Sequence, residues 1–309
     1  MSIKIIKKGL SDTIQDNGRY GYQHLGIQPS GSMDFFSAWL ANKIFGNDLN
    51  NPVFELHFPT SQILFESDYT ICITGANFVP ILNKKSIELN KPIRVHKNDV
   101  LTMLQPIEGR TCYIAINAKL NEPNWLGSHS FSKQSILKDQ VFSFSENDSS
   151  QAIDISIKAV SNSNKSLIEE VQKWVFDHNN PIRFIPGPAW SHLTDSSLTG
   201  LLKTPFTITS QANRMGFNLM GTKLNLTVQN NFLSSAVTRG TLQLLPNGDI
   251  IVLMADHQTI GGYANLGQII LVDLPRFAQF KNGQSFYFEL TSLENASQLY
   301  RNIYEKFQH

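Results

Sequence analysis

The stretch Ile250-Ile251-Val252-Leu253-Met254-Ala255-Asp256-His257-Gln258-Thr259-Ile260-Gly261-Gly262-Tyr263 joins a short apolar run to a run of polar groups around a glycine pair. An apolar segment of this length reads as a buried strand. The segment after it carries a carboxylate, an imidazole, an amide, a hydroxyl and a phenol. A Gly-Gly pair opens backbone angles closed to other residues and lets a ligand approach main-chain amides. The flanking side chains can then address a small polar molecule from several sides. A tight turn with a solvated polar tip is the plainer reading of the same residues.

Working outward, short β-type runs recur along the chain: 62–65, 70–74, 93–95, 100–104, 112–116, 183–185, 207–209, 250–254, 268–272 and 285–290. Turn residues separate them at short intervals, which predicts a mainly β fold, a sandwich or barrel, with few helices. The clearest helix is 34–45, where Met33, Phe36, Leu40 and Ile44 share a face, Ser30 or Ser32 can cap the start, and Gly46 suits a left-handed stop. Others are expected near 165–176 and 293–307. Between Asn117 and Pro181 the composition shifts toward Ser, Asn, Lys and Gln. The expected organisation is a β-rich lobe over 1–130, a polar connection over 131–180 and a second lobe over 181–309.

With 309 residues the chain can bury a sizeable core. Its net charge is +1, and no stripe of Lys and Arg supplies the footprint that nucleic acid or an anionic membrane requires. The apolar runs are strand-sized, and the lysine-rich start lacks the long apolar core of a signal segment, so a cytoplasmic protein without membrane contact is expected. Cys72 and Cys112 lie in apolar runs and read as buried free thiols. Eight scattered histidines show no metal-ligand spacing, so no metal is expected.

Three further clusters admit two readings each. In Gln15 to Gly21, Asn17-Gly18 signals a turn, and Asp16 can brace it or pair with Arg19. In Pro29 to Asp34, the residues Ser30, Gly31 and Asp34 at the start of the first helix fit an anion site or ordinary capping. In Gln211 to Gly216, Arg214 can grip a carboxylate or phosphate with its planar fork, or stand as a plain surface arginine. Gly216 to Lys223 nearly spells a phosphate-binding loop, but the lysine is displaced by one position and no Ser or Thr follows it. No Gly-x-Ser-x-Gly elbow is present. Asp256 and His257 are the candidates for proton transfer.

Several motifs occur in a fixed order: Gln15-Asp16-x-Gly18-Arg19-x-Gly21, Ser30-Gly31-x-Met33-Asp34, Ala41-Asn42 with Gly46-Asn47, Gly75-Ala76, Leu126-Gly127-Ser128, Ile185-Pro186-Gly187-Pro188, Asn213-Arg214-Met215-Gly216, Gly240-x-x-Gln243 and Asp256-x-Gln258-Thr259-x-Gly261-Gly262-Tyr263. In this the chain resembles the biotin-dependent carboxyltransferase-like family of the allophanate hydrolase subunit 2 and KipA type. The resemblance runs from residue 9 to about 290. It departs from the family at Ala264, where Pro is common, at Lys281 to Gln284, and at Asn117 to Leu120.

The resemblance implies a cyclophilin-like β-barrel fold. It also implies a place as one subunit of an ATP-dependent 5-oxoprolinase, which opens 5-oxo-L-proline to L-glutamate together with subunits B and A (KipI-like and LamB/YcsF-like proteins). ATP would bind this chain or a partner subunit. The alternatives are a biotin-dependent carboxyltransferase and a regulator that binds an inhibitor of a kinase. No Met-Lys dipeptide is present to accept biotin. Within the first picture, Arg214 would neutralise charge and the Gly261 and Gly262 amides would donate to an oxygen. Asp256 or His257 would handle a proton, Gln258 and Thr259 would orient the ring, and Asn213, Gln243 and Tyr263 would support substrate binding.

Overall fold

The computed structural model describes residues 1–130, 135–145, 162–228 and 232–308. The chain forms two compact units, one of Met1–Arg19 with Ser30–Phe176 and one of Tyr20–Pro29 with Asp177–His309. Two parts of the stretch expected to link the lobes have regular structure in the first unit: the strand Val141–Ser145 and the helix Asn162–Val175. Residues 131–134 and 146–161 of that stretch lie outside the described residues.

In the first unit, a seven-stranded antiparallel sheet runs in the order Lys119–Leu120, Val141–Ser145, Ser2–Lys7, Gln62–Phe65, Val100–Met103, Pro80–Leu82, Lys85–Ser86. A five-stranded sheet runs Thr13–Gln15, Val53–His57, Glu108–Ile116, Tyr69–Asn77, Ile93–Val95. Alternation along Ser2–Lys7 sends Ile3 and Ile5 inward, where they join Phe54, Phe65, Ile73, Ile114 and Phe142 in one apolar cluster. Cys72 and Cys112 are buried free thiols, pushed above the ordinary thiol range by burial. The helix Phe35–Phe45 packs Ala38 and Ala41 against Val53, Tyr113 and Ala115. Its cap is Asp34 rather than Ser30 or Ser32: the carboxylate accepts from the Ser37 amide at 3.0 Å. Ser30 and Gly31 instead adopt left-handed backbone, with φ of 61° and 96°. At Gly31 the glycine is required, because a Cβ there would lie 2.9 Å from the carbonyl oxygen of Asn17.

The second unit is built on eight strands in the order Ser285–Phe286, Phe206–Ile208, Gly216–Met220, Ile250–Leu253, Thr241–Leu244, Ala264–Ile269, Ile182–Pro186, Phe288–Leu290. Its two edge strands are neighbours in sequence, separated by Tyr287 alone, so the sheet nearly closes into the barrel that the resemblance implied. Phe184, Phe206, Phe217, Phe277, Phe286 and Phe288 fill it as edge-to-face and tilted pairs. Gly216–Met220, the segment resembling a phosphate loop, is a strand laddered to Ile250–Leu253. The run expected as a strand over 268–272 lies differently: the strand is Ala264–Ile269, and Leu271–Asp273 turns as a short 3-10 helix. The turn aims the fully buried Asp273 at Arg183, which donates from Nε at 3.0 Å and Nη2 at 2.7 Å. Arg276 lies 3.3 Å from the same carboxylate. Among the described residues no helix is long and apolar enough to cross a membrane.

Candidate functional site

Strand Ile250–Leu253 lies between Gly216–Met220 and Thr241–Leu244, and the chain leaving its C-terminal end carries Met254 to His257. The ladder continues past the strand on one side: the Met254 amide donates to the Met215 carbonyl at 3.0 Å and the Asp256 amide to the Arg214 carbonyl at 2.8 Å. This extension brings the side chains of Arg214 and Asp256 together. The guanidinium donates from Nε to Oδ2 at 2.8 Å and from Nη2 to Oδ1 at 3.0 Å. Both side chains are shielded, 13% and 6% exposed, so the pair sits in a medium where charge is poorly screened. The two residues that the sequence offered as separate chemical groups are one bidentate unit.

On the far side of Asp256 the chain is fastened by a residue that sequence reasoning missed. Gln28 Nε2 donates to the Asp256 carbonyl at 2.8 Å, across 228 positions of sequence. Nothing in the sequence near Gln28 marks it for this contact.

His257 is 2% exposed, and its Nδ1 stands 2.6 Å from the Gln258 carbonyl oxygen. A carbonyl only accepts, so Nδ1 carries the hydrogen and Nε2 is the basic nitrogen. Burial lowers the imidazole's proton affinity below its usual range, and the Arg239 charge acts in the same direction. The ring is therefore a neutral base rather than a cation near neutral pH.

The glycine pair serves a purpose different from the one expected. Neither Gly261 nor Gly262 adopts the left-handed backbone that favours glycine. Gly261 belongs to the short strand Ile260–Gly261, paired with Ser235–Ala236. What it supplies is room: a Cβ there would lie 2.3 Å from Nε2 of Gln243, whose side chain is fully buried. Gln243 Oε1 accepts a long bond from Gln258 Nε2 at 3.4 Å, so the amide behind the glycine is tied to the run after Asp256. Thr259 is buried and its carbonyl accepts from the Val237 amide at 3.2 Å, while Tyr263 is half exposed. Asn213 braces its own turn: Oδ1 accepts from the Met215 amide at 2.8 Å and Nδ2 donates to the Gln211 carbonyl at 3.1 Å. The candidates in this unit thus form two side-chain contacts, Arg214 with Asp256 and Gln258 with Gln243, joined through the run Asp256 to Gln258, while Asn213 braces the turn that presents Arg214.

In the first unit, the Asp16 cluster is a knot of its own. The buried Asp16 carboxylate accepts from the Gly18 amide at 2.7 Å, and from Ser128 Oγ, Ser130 Oγ and the His129 amide at 2.6 Å each. Arg19 does not pair with it; the guanidinium donates to the Ser130 carbonyl and lies 4.9 Å over the Trp125 ring. At the start of the first helix the Met33 amide donates to Glu55 Oε2 and the Asp34 amide to the Tyr113 hydroxyl, both at 2.7 Å. Two of the amides in this stretch, those of Met33 and Asp34, are thus held by side chains of the same unit.

The near-closed barrel sheet is the fold of a known class. The chain belongs to the family described as the carboxyltransferase domain, subdomain A and B, whose model matches residues 25–290. Within that family it is 31% identical over 305 residues to the C subunit of the 5-oxoprolinase of Escherichia coli K12, covering 95% of this chain and 93% of that protein. It is 29% identical to the corresponding 5-oxoprolinase component of Haemophilus influenzae, covering 94% and 91%. The urea amidolyase of Saccharomyces cerevisiae is 24% identical over 96% of this chain, which spans 17% of that longer protein. Among solved structures, the Kluyveromyces lactis urea amidolyase superposes with a TM-score of 0.86 at 20% identity, over 99% of this chain and 20% of that one, a likeness of fold.

Proposed function

We propose that this chain is the subunit of an ATP-dependent 5-oxoprolinase that works with partner subunits to open 5-oxo-L-proline to L-glutamate. The observation that carries the reading is the end-to-end match to the C subunit of a 5-oxoprolinase at 31% identity, covering nearly all of both chains, where the urea amidolyase match occupies a small part of a longer protein. The lactam is resonance-stabilised, so its carbonyl must be activated before water attacks. Transfer of the γ-phosphoryl group of ATP to the lactam oxygen releases ADP and creates the electrophile. Water then adds to that carbon, the ring nitrogen takes a proton as its bond to carbon breaks, and a second water releases phosphate from the resulting acyl phosphate.

In this reading Asp256 fixes the plane of Arg214, which faces charge developing at the reacting oxygen. His257, neutral and with Nε2 basic, is the group suited to take a proton from water. Gln258 and Gln243 orient the amide of the ring, and Thr259, Tyr263 and the Gly261 and Gly262 amides border it. Asn213 supports the turn that presents Arg214.

The test is the purified chain combined with its B and A partners, assayed for ADP and glutamate with and without 5-oxo-L-proline and with each component omitted in turn. ADP and glutamate formed together by the complete set support the reading. Turnover only with urea and a biotinylated carrier would replace it with carboxyl transfer. Binding to a partner without any turnover would replace it with a regulatory role.

A further inference from the structure

We infer that Gln28 is a positioning residue of this site, holding the peptide between Asp256 and His257 so that the imidazole keeps a single orientation; the inference rests on the reading above. The starting point is how little else holds His257. The residue is buried, yet among the described residues its hydrogen bonds stay within its own run: its amide donates to the Met254 carbonyl at 3.2 Å and Nδ1 to the Gln258 carbonyl at 2.6 Å. These bonds close the run on itself and tie it to no neighbouring strand. Asp256 is anchored on its N-terminal side, by its amide to the Arg214 carbonyl and by its carboxylate to the guanidinium. The next peptide, whose carbonyl belongs to Asp256 and whose amide belongs to His257, is one rigid plane. Gln28 Nε2 grips that plane by its carbonyl at 2.8 Å.

The grip is built into the second unit, to which Tyr20–Pro29 belongs. That segment turns on itself, with the Leu25 amide donating to the Tyr22 carbonyl at 3.0 Å and the Gly26 amide to the Gln23 carbonyl at 2.9 Å, and Gly26 takes a left-handed φ of 76°. Pro29 then favours extended backbone at Gln28, which narrows the directions its side chain can take. The partner oxygen only accepts, so the amide nitrogen of Gln28 is the group that faces it. A buried carbonyl must find a donor, and Asp256 is 4% exposed. Without Gln28 the plane is free to turn toward another donor. Such a turn leaves Arg214 and Asp256 on their ladder bond but swings the backbone from which the His257 ring projects. A base displaced by about 1 Å loses rate, whereas groups that bind the substrate elsewhere keep their hold.

The test uses the assembled complex and, for spectroscopy, the full chain. Gln28→Met keeps the length of the side chain and removes the donor, Gln28→Lys restores a donor at that reach, and Thr204→Val removes a side-chain bond to another backbone carbonyl of the same unit, that of Gly200 at 2.7 Å. Gln28→Met should lower kcat about tenfold to a hundredfold with KM held within about threefold. Gln28→Lys should recover most of the loss, and Thr204→Val should leave kcat unchanged. In 15N spectra the His257 ring of the unaltered chain should carry its hydrogen on Nδ1, and both tautomers should appear in Gln28→Met. An unchanged kcat in Gln28→Met, a loss that Gln28→Lys does not restore, or an equal loss in Thr204→Val would overturn the inference while leaving the 5-oxoprolinase reading standing. If Gln28→Met does not assemble with its partners, an unchanged single tautomer in the free chain overturns it instead. No 5-oxo-L-proline-dependent turnover by the unaltered complex would overturn both.

Discussion

Arg214 and Asp256 hold each other twice over, through parallel side-chain bonds at 2.8 and 3.0 Å and through the backbone bond from the Asp256 amide to the Arg214 carbonyl. The side-chain pair is therefore set by the sheet register and not by chance approach of two long side chains. Little rotamer freedom remains for either.

Removing one partner of such a shielded pair leaves the other without its counter-charge, at a cost of about 3–5 kcal/mol. Asp256→Asn and Arg214→Ala should each lower the melting temperature and abolish turnover of the complex. The double replacement should destabilise by less than the sum of the two single changes, as measured by a denaturant double-mutant cycle. Strict additivity would show that the pair is not coupled.

The glycine pair should respond asymmetrically to alanine. At 261 the new methyl meets Gln243 Nε2 at 2.3 Å, whereas at 262 the nearest atom is Ser234 Oγ at 3.2 Å. Gly261→Ala should cost about 1–3 kcal/mol and reduce activity by displacing the Gln243 amide. Gly262→Ala should be milder on both counts. Urea titration and turnover of the two variants side by side decide it, and equal effects would return the pair to the role of a flexible turn.

Asp16 should govern the local order of the loop 125–130. Its carboxylate accepts from Gly18, Ser128, His129 and Ser130, so Asp16→Ala orphans donors at several positions at once. A loss of at least about 3 kcal/mol is expected. Hydrogen exchange at the His129 amide should rise selectively in this variant, and unaltered exchange there would contradict the assignment.

Two buried groups impose opposite pH trends. His257 has its folded proton affinity lowered, chiefly by burial, so the unfolded chain binds a proton that the folded chain refuses. Its contribution to stability is complete above pH 6.5 and is lost as pH falls below that value. His257→Gln should flatten the acid limb of stability against pH, and an unchanged slope would mean that the ring is protonated in the fold.

Asp12 runs the other way. Its carboxylate accepts the His57 and Ser61 amides at 2.8 and 2.6 Å, bonds that favour ionisation, yet burial outweighs them and raises it from 3.8 to about 6. The folded chain holds the proton that the unfolded chain releases, so this contribution is present below pH 3.8 and lost as pH rises through about 6. The size is about 3 kcal/mol. The stability difference between the unaltered chain and Asp12→Asn should shift by that order between pH 4 and pH 7, and a constant difference would refute it.

Much of the architecture was legible in the chain. The runs at 62–65 and 93–95 form strands with the expected bounds, and the first helix ends at Gly46 in left-handed backbone, because periodicity and glycine stops are local signals. The strand Gly216–Met220 escaped, since glycine and asparagine within it weaken the local pattern and the ladders to Phe206–Ile208 and Ile250–Leu253 hold it in place. The helix Asp195–Lys203 escaped as well, its Ser and Gly content masking the period.

The candidate site divides along the same line. Sequence alone determined which residue types stand in the run Asp256 to Tyr263 and beside Arg214, and their order was enough to indicate the family. Only tertiary structure decided that Arg214 and Asp256 are one unit, that Gly261 makes room for Gln243, and that Gln28 fastens Asp256 from 228 positions away. The physical reason is that each relationship depends on strand order and register, which arise from long-range hydrogen-bond ladders that no local pattern encodes.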